Sequence, residues 1–464
     1  MSRALRLQLH IASIIDGFQL SILLSVLNMT RPNILYIHSH DTGRYVQPYG
    51  YDIPAPNIQK LAEEGILFRQ AYCASPMCSP SRAALLTGQS PHSCGQFGLA
   101  NCGFPLRDPE KHLAHTLKKN GYYTALFGLQ HLHSDPTVLG YDRIVEVQKN
   151  ARVVDGVTYK YDAGPTTQAT VEFLNDKPKE PFFLTVGYFE AHRDFPKLSP
   201  EDDPRYCNIP APLPDTPTLR EEMAGFKASV KIFDDNVGSV LEALETNGLK
   251  DNTLVICTTD HGIPFPGMKT CLTGHGTGVM LILRGPGEFP GGQVSDSLIS
   301  QLDIYPSLCE LLEIEPPSWL EGKSMLPIIR GEREEINEVI FYEANYQGIF
   351  YTPQRAVRTQ RWNYVRAYDQ ESNVIQDKLF DLIMDPNERN NIASDPTMNE
   401  TLKELQDRLD HWMKETEDPL LQGSVPVPLD SIAVNPEDQD LLGHGQYLYN
   451  TLKTWENRFQ VDNR

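Results

Sequence analysis

Short apolar runs at 33–37, 122–127, 182–186, 254–258 and 279–283 are continuous rather than alternating, and segments with helical periodicity at 57–64, 166–174 and 219–244 lie between them. A strand that is apolar on both faces is covered on both faces, which is the habit of parallel sheets flanked by helices. Parallel neighbours also need long crossovers, and the intervening helical segments supply them. The pattern therefore predicts an α/β fold built on a large, mostly parallel central sheet. In such sheets ligands gather at the carboxyl ends of the strands. The first run delivers His38-Ser39-His40-Asp41 there, and the run at 254–258 delivers Asp260-His261.

A chain of 464 residues exceeds what a single core usually holds. After the segments 301–308 and 321–327, the charged run 330–335 forms a natural boundary. Strand-like pieces follow at 339–342, 355–358, 363–365 and 379–382, with Asp385-Pro386 as a turn. Leu402, Leu405, Leu409 and Trp412 recur at helical spacing, which predicts an amphipathic helix on a small sheet. The expected organisation is a main domain over 31–330, a smaller C-terminal α+β subdomain over 336–430 and a tail over 431–464. At the other end, Arg3 and Arg6 precede an apolar stretch that Asp16 and Gly17 interrupt. No small-residue cleavage site follows, so residues 1–28 read as an extension ahead of a start at Met29.

The formal net charge of −20 makes DNA, RNA and anionic membranes poor partners, because the long-range field repels polyanions. Cysteines at 73, 78, 94, 102, 207, 257, 271 and 309 show no paired zinc spacing and are sparse for a disulfide scaffold. They read as reduced thiols, in keeping with a cytoplasmic protein.

Cys78-Ser79-Pro80-Ser81-Arg82 runs directly into Ala83-Ala84-Leu85-Leu86-Thr87-Gly88. A cysteine just ahead of a proline-started helix lies at that helix's positive end, and Arg82 falls on the same face, so the two favour an anion. A lone cysteine there would be an ordinary buried thiol. The full string resembles the signature of the type I sulfatases, members of the alkaline phosphatase superfamily, and the resemblance extends over nearly the whole chain from Arg31. Within that family it is most similar to the sulfamidase (N-sulfoglucosamine sulfohydrolase) group, through Asp260-His261-Gly262-Ile263-Pro264-Phe265-Pro266 and the tail segment 412–419.

The resemblance implies an alkaline-phosphatase-like sandwich, and a Cys78 that is oxidised to formylglycine by a formylglycine-generating enzyme. The hydrated aldehyde then attacks sulfur, the leaving group departs, and collapse of the diol expels sulfate. It further implies a divalent metal, with Asp260, His261, Asp41 and Cys78 as ligands. His40 stands where the family usually has a second aspartate, either as a nitrogen ligand or as a neighbour bonded to the ligands. Oxygen ligands suit Ca2+, while nitrogen also admits Mg2+, Mn2+ or Zn2+. Arg82 and His131 match residues at the nucleophile, with Leu129 in the place of a family lysine. His192 matches the proton donor to the leaving group, and Lys269 the sulfate-binding cation. Arg44, Arg193, His275 and Arg355 are expected at the mouth of the site. The implied activity is hydrolysis of a sulfate ester or sulfamate of a small sulfated sugar or short oligosaccharide. A phosphodiester or phosphonate ester hydrolase of the same superfamily, or an inactive sulfatase-like binding protein, is the alternative.

Overall fold

The computed structural model describes residues 31–146, 152–154, 157–159, 163–287, 289–347 and 350–425. The extension read at 1–28 and the tail read at 431–464 lie outside the described residues.

The central sheet has eight strands: β1 (Asn33–Ser39), β2 (Ile66–Phe68), β3 (Tyr123–Gly128), β4 (Arg143–Val145), β5 (Phe182–Gly187), β6 (Thr253–Thr259), β7 (Leu281–Arg284) and β8 (Gln293–Ser295). Their order is β8-β2-β7-β6-β1-β5-β3-β4. Every pair is parallel except those of β7, which runs antiparallel to β6 and β2. The expectation of a large, mostly parallel sheet is therefore met. The long apolar runs occupy its middle, and every residue of β1, β5 and β6 is buried. Helices α1 (Pro56–Glu64), α2 (Cys78–Thr87), α3 (Leu113–Lys119), α4 (Ala163–Asn175), α5 (Pro217–Thr246) and α6 (Ile304–Leu311) complete the main body. One core cluster joins the sheet to α1, α4 and α5, and the other joins it to α2, α3 and α6. This is an α/β sandwich.

Four further strands, β9 (Ile340–Gln347), β10 (Phe350–Arg358), β11 (Trp362–Tyr368) and β12 (Val374–Asp381), form an antiparallel sheet in chain order. Helix α7 (Asn399–Glu415) packs on it through Leu405, Leu409 and Met413. Trp412 stacks flat on Phe341, with ring centroids 4.9 Å apart, and meets the edge of His92 at 5.1 Å. The small sheet is thus seated against the main body, and the Glu343 amide donates to the Ala74 carbonyl just before the Cys78 segment. Among the described residues no helix is long and apolar enough to cross a membrane.

Candidate active site

Strands β1 and β6 are parallel neighbours with Ser39 opposite Thr259. The next residues leave the sheet side by side, which sets His40 against Asp260 and Asp41 against His261. Nδ1 of His40 lies 3.2 Å from Oδ2 of Asp260, and Nε2 of His261 lies 3.2 Å from Oδ1 of Asp41. The Asp41 amide donates to Oδ1 of Asp260 at 2.8 Å, closing the two strand ends together. Asp41 reaches this position with φ of 56°, a left-handed conformation that costs a non-glycine residue energy and is held by the packing around it. Gly262 then allows the chain to pass 2.0 Å, measured from where a Cβ would stand, from the His275 carbonyl. No side chain fits there.

The next strand over, β5, extends this edge. The His40 amide donates to the Glu190 carbonyl and the Ala191 amide to the His40 carbonyl, which brings His192 to the same rim. His192 Nε2 is 3.8 Å from Oδ2 of Asp41. Beyond it, β3 ends at Gly128, where φ of 82° and a backbone carbonyl at 2.2 Å from a would-be Cβ demand glycine, and the turn leads to His131. The ring centroids of His40 and His131 are 5.9 Å apart.

Helix α2 supplies the fourth wall. It begins at Cys78 itself, with Met77 as the residue before it, so the start falls two residues ahead of Pro80. Its positive end is therefore at the cysteine. Sγ of Cys78 lies 3.3 Å from Nε2 of His261. Arg82, one turn on, donates through Nη2 to Oδ2 of Asp260 at 2.9 Å. Lys269 enters from the loop after β6 and places Nζ 2.8 Å from Oδ2 of Asp41.

Burial alone would raise the Asp41 carboxyl, but Lys269, His192, His40 and His261 hold it well below the usual carboxylate range. Burial likewise opposes ionisation of Asp260, and His261, His40 and Arg82 outweigh it. Lys269, disfavoured by burial, is kept protonated by Asp41. Burial pushes His40 down to about 4 and His131 down to about 3, so both rings are neutral. The two carboxylates and the cations Arg82 and Lys269 cancel in charge. A dication added to this set leaves a locally positive pocket. Burial also pushes the Cys78 thiol up to about 12, so an unmodified side chain is no nucleophile at neutral pH.

His40, Asp41, Cys78, Asp260 and His261 each present a ligand atom, all within 4.8 Å of one another and all buried. Two ionised carboxylates and two imidazoles at one point fit a divalent cation.

The sulfatase family profile matches residues 32–314, a span that contains this whole cluster. The chain belongs to the sulfatase family. A second profile, N-sulphoglucosamine sulphohydrolase, C-terminal, matches residues 269–415 of the sulfatase. It is 28% identical over 484 residues to human N-sulphoglucosamine sulphohydrolase, covering 86% of this chain and 93% of that one. It is also 28% identical over 452 residues to a Delta 4,5-hexuronate-2-O-sulfatase of Bacteroides thetaiotaomicron, covering 84% and 90%. The crystal structure of the phosphonate monoester hydrolase of Agrobacterium radiobacter shares its fold, with a TM-score of 0.72 at 21% identity over 84% of this chain and 97% of that one. The protein is thus a sulfuric ester hydrolase by family.

Around the sulfatase site, the residues expected at the mouth are placed differently. Arg355 is fully buried in β10 and donates Nε to Oδ2 of Asp418 at 2.5 Å and Nη2 to Oδ1 at 2.9 Å, with Glu343 3.7 Å away. Its guanidinium is engaged inside the C-terminal unit, which corrects the expectation of ligand contact. His275 uses Nδ1 with the Tyr45 hydroxyl at 2.8 Å and donates Nε2–H to the Asn387 carbonyl at 3.0 Å, so it pins loops. Arg44 lies over the Tyr72 ring at 4.9 Å and donates to the carbonyls of Arg69 and Gly274. Arg193 follows His192, donates Nε to the Pro264 carbonyl at 2.9 Å, and pairs with Glu222. With Asp194, Phe195, Glu221 and Glu222 it lines a cleft of about 270 Å³.

Other groups at the site were not singled out from the sequence. His38 accepts from Arg82, and Asn101 meets Nε2 of His131 through Oδ1 at 3.1 Å. Ser81 donates to the Asp260 carbonyl, and Gln301 donates Nε2–H to the Thr259 carbonyl at 2.7 Å, bracing the end of β6. For His38 a signal existed, since it is the first polar residue that the apolar run of β1 delivers at its carboxyl end.

Proposed function

We propose that this sulfatase hydrolyses the sulfate ester or sulfamate of a small sulfated carbohydrate, with Cys78 converted to formylglycine. The observation that carries the reading is the approach of Cys78 at the head of α2 to the paired strand ends Asp41 and Asp260-His261, flanked by Lys269 and Arg82. The modified side chain would supply a hydroxyl nucleophile that regenerates itself, which the buried thiol cannot do. A divalent cation held by Asp41, Asp260 and His261, with His40 beside them, would supply positive charge for the sulfate oxygens and ease ionisation of that hydroxyl.

The chain's own residues perform the remaining tasks. Lys269 and Arg82 offer fixed positive charge where negative charge builds on the sulfuryl oxygens. His192 donates its Nδ1–H to the Arg193 carbonyl at 2.5 Å, which turns Nε2 toward the site. Burial holds the ring neutral, the nearby Asp41 carboxylate favours its protonated form, and once Nε2 has taken up a proton it can pass it to a departing sugar oxygen or nitrogen. The cleft beside Arg193 receives the leaving group. Its carboxylates suit the hydroxyl and amino groups of a sugar better than further sulfates, so short substrates are preferred. Both relatives are named for sulfated-sugar substrates, which supports the carbohydrate reading. The sparse, unpaired spacing of the eight cysteines in the sequence is the ground on which a reducing, cytoplasmic setting is proposed.

Parallel assays on nitrophenyl sulfate, a nitrophenyl phosphodiester and N-sulfated glucosamine test this reading, together with mass spectrometry of the peptide containing residue 78. The reading expects formylglycine at 78 and sulfate release that Cys78→Ala lowers by several orders of magnitude. Full activity with an unmodified thiol overturns the mechanism. Faster turnover of the phosphodiester would favour the alternative, to which the phosphonate hydrolase fold lends support.

A further inference from the structure

The ligand atoms of the site are not an oxygen cage. His261 Nδ1 lies 3.0 Å from the Gly262 carbonyl. A carbonyl only accepts, so Nδ1 carries the hydrogen and Nε2 presents its lone pair inward. That lone pair meets Oδ1 of Asp41 at 3.2 Å, Oδ2 of Asp260 at 3.7 Å and Sγ of Cys78 at 3.3 Å. From the opposite side, Nδ1 of His40 stands 2.7 Å from Oδ1 of Asp41 and 3.2 Å from Oδ2 of Asp260; it donates Nδ1–H to the carboxylate, and a cation seated between the two carboxylates would take that hydrogen's place. Both rings are at most 1% exposed. Both also sit one or two residues beyond strands whose register is fixed by the sheet, which holds the two rings on opposite sides of the carboxylate pair.

Calcium takes 6–8 oxygen ligands, whereas imidazole nitrogen suits the first-row transition ions. Around this point the protein offers Asp41 and Asp260 as oxygen ligands and one nitrogen from each of two histidines. We propose that the centre is selective for a divalent first-row transition ion, Mn2+ or Zn2+, over Ca2+, and that His40 is the ligand that sets the preference. This rests on the cluster being the metal centre of the hydrolase, but it concerns binding and not turnover.

Zinc binds more tightly than calcium to almost any nitrogen, and a free thiol adds to the bias, so the informative quantity is a ratio measured without Cys78. The full chain carrying Cys78→Ser, stripped of metal, is titrated calorimetrically with MnCl2 and with CaCl2, alone and with His40→Asp added. The expected result is Mn2+ binding about 100-fold tighter than Ca2+, with His40→Asp lowering that ratio at least tenfold. Asp41→Asn with Asp260→Asn should abolish both. Equal affinities, a ratio that His40→Asp leaves unchanged, or tight Mn2+ binding that survives the double asparagine variant would each overturn the proposal.

Should His40→Asp fail to fold, pulsed electron paramagnetic resonance of Mn2+ in the Cys78→Ser chain reads the ligands directly. Nitrogen couplings from two imidazoles are expected, and their absence overturns the assignment. Because no readout is catalytic, the two failures separate. A transition-ion preference in a chain that releases no sulfate removes the proposed function alone, and an active sulfatase that prefers Ca2+ removes only this inference.

Discussion

Arg82 donates through Nη1 to Nδ1 of His38 at 2.5 Å. Its Nη2 meanwhile donates to Asp260, so His38 fixes the angle at which this cation reaches the site. Burial and the neighbouring Arg82 hold the imidazole well below its ordinary pKa, which keeps His38 neutral and able to accept. His38→Leu should therefore fold but lose about 10–100-fold in kcat, the range for partners that orient groups at a metal site. His38→Gln, which retains an acceptor, should recover much of it. Kinetics on nitrophenyl sulfate alongside thermal midpoints check this; equal rates in the native and His38→Leu proteins would reduce His38 to filler.

His192 and Lys269 should fail differently. A nitrophenolate departs without help, whereas a sugar oxygen needs a proton, so His192→Ala should cost far more on sulfated sugars than on nitrophenyl sulfate. Lys269→Ala should weaken both alike, because it addresses the sulfuryl group they share. Measuring kcat/KM for both variants on both substrates separates the roles. Equal losses for His192→Ala would remove it as a proton donor.

Arg355 is a stability element. Its removal leaves Asp418 and Glu343 buried without the guanidinium, with His92 and the Asn345 amide on Glu343 and the Leu420 N–H on Asp418 as remaining partners. Breaking a buried charge network in this way costs about 3–5 kcal/mol. Urea unfolding of Arg355→Met should show a loss of that size, while KM of the folded protein stays unchanged because the side chain touches no substrate. A raised KM at native stability would restore the ligand role that the sequence suggested.

Acid should destabilise the protein through His112, which is fully buried and accepts from the Ala114 amide through Nδ1 at 3.1 Å. Burial pushes its pKa down to about 3, whereas the unfolded ring titrates near 6.5. Above about pH 6.5 both states are neutral and the group contributes no slope. Below it the unfolded chain binds a proton that the native chain refuses, so stability falls by about 1.4 kcal/mol per pH unit. His112→Gln should narrow the stability difference between pH 7 and pH 5 by about 2 kcal/mol in urea unfolding. An unchanged difference would mean that His112 is accessible to protons in the native state.

The sequence by itself determined the layered α/β body, because a continuous apolar run such as that of β1 or β5 is stable only when covered on both faces. It also marked the C-terminal helix by its apolar spacing, and the Cys78 segment by its motif. Strands β2, β4 and β8 escaped it, each being only three residues long, too short to show a period. So did the reversed direction of β7, since an apolar run carries no sign of which way it points. At the site, the residues that leave strand ends could be named in advance, because a parallel sheet delivers its polar tips to one edge. What only the tertiary structure decided was the fate of long or buried polar side chains. Arg355 looks like any exposed arginine until Asp418, 63 residues away, folds against it, and His38 gains its meaning only from Arg82, 44 residues on. Charge and hydrogen-bonding capacity are local properties of a residue, whereas the partner that uses them is chosen by packing between distant segments.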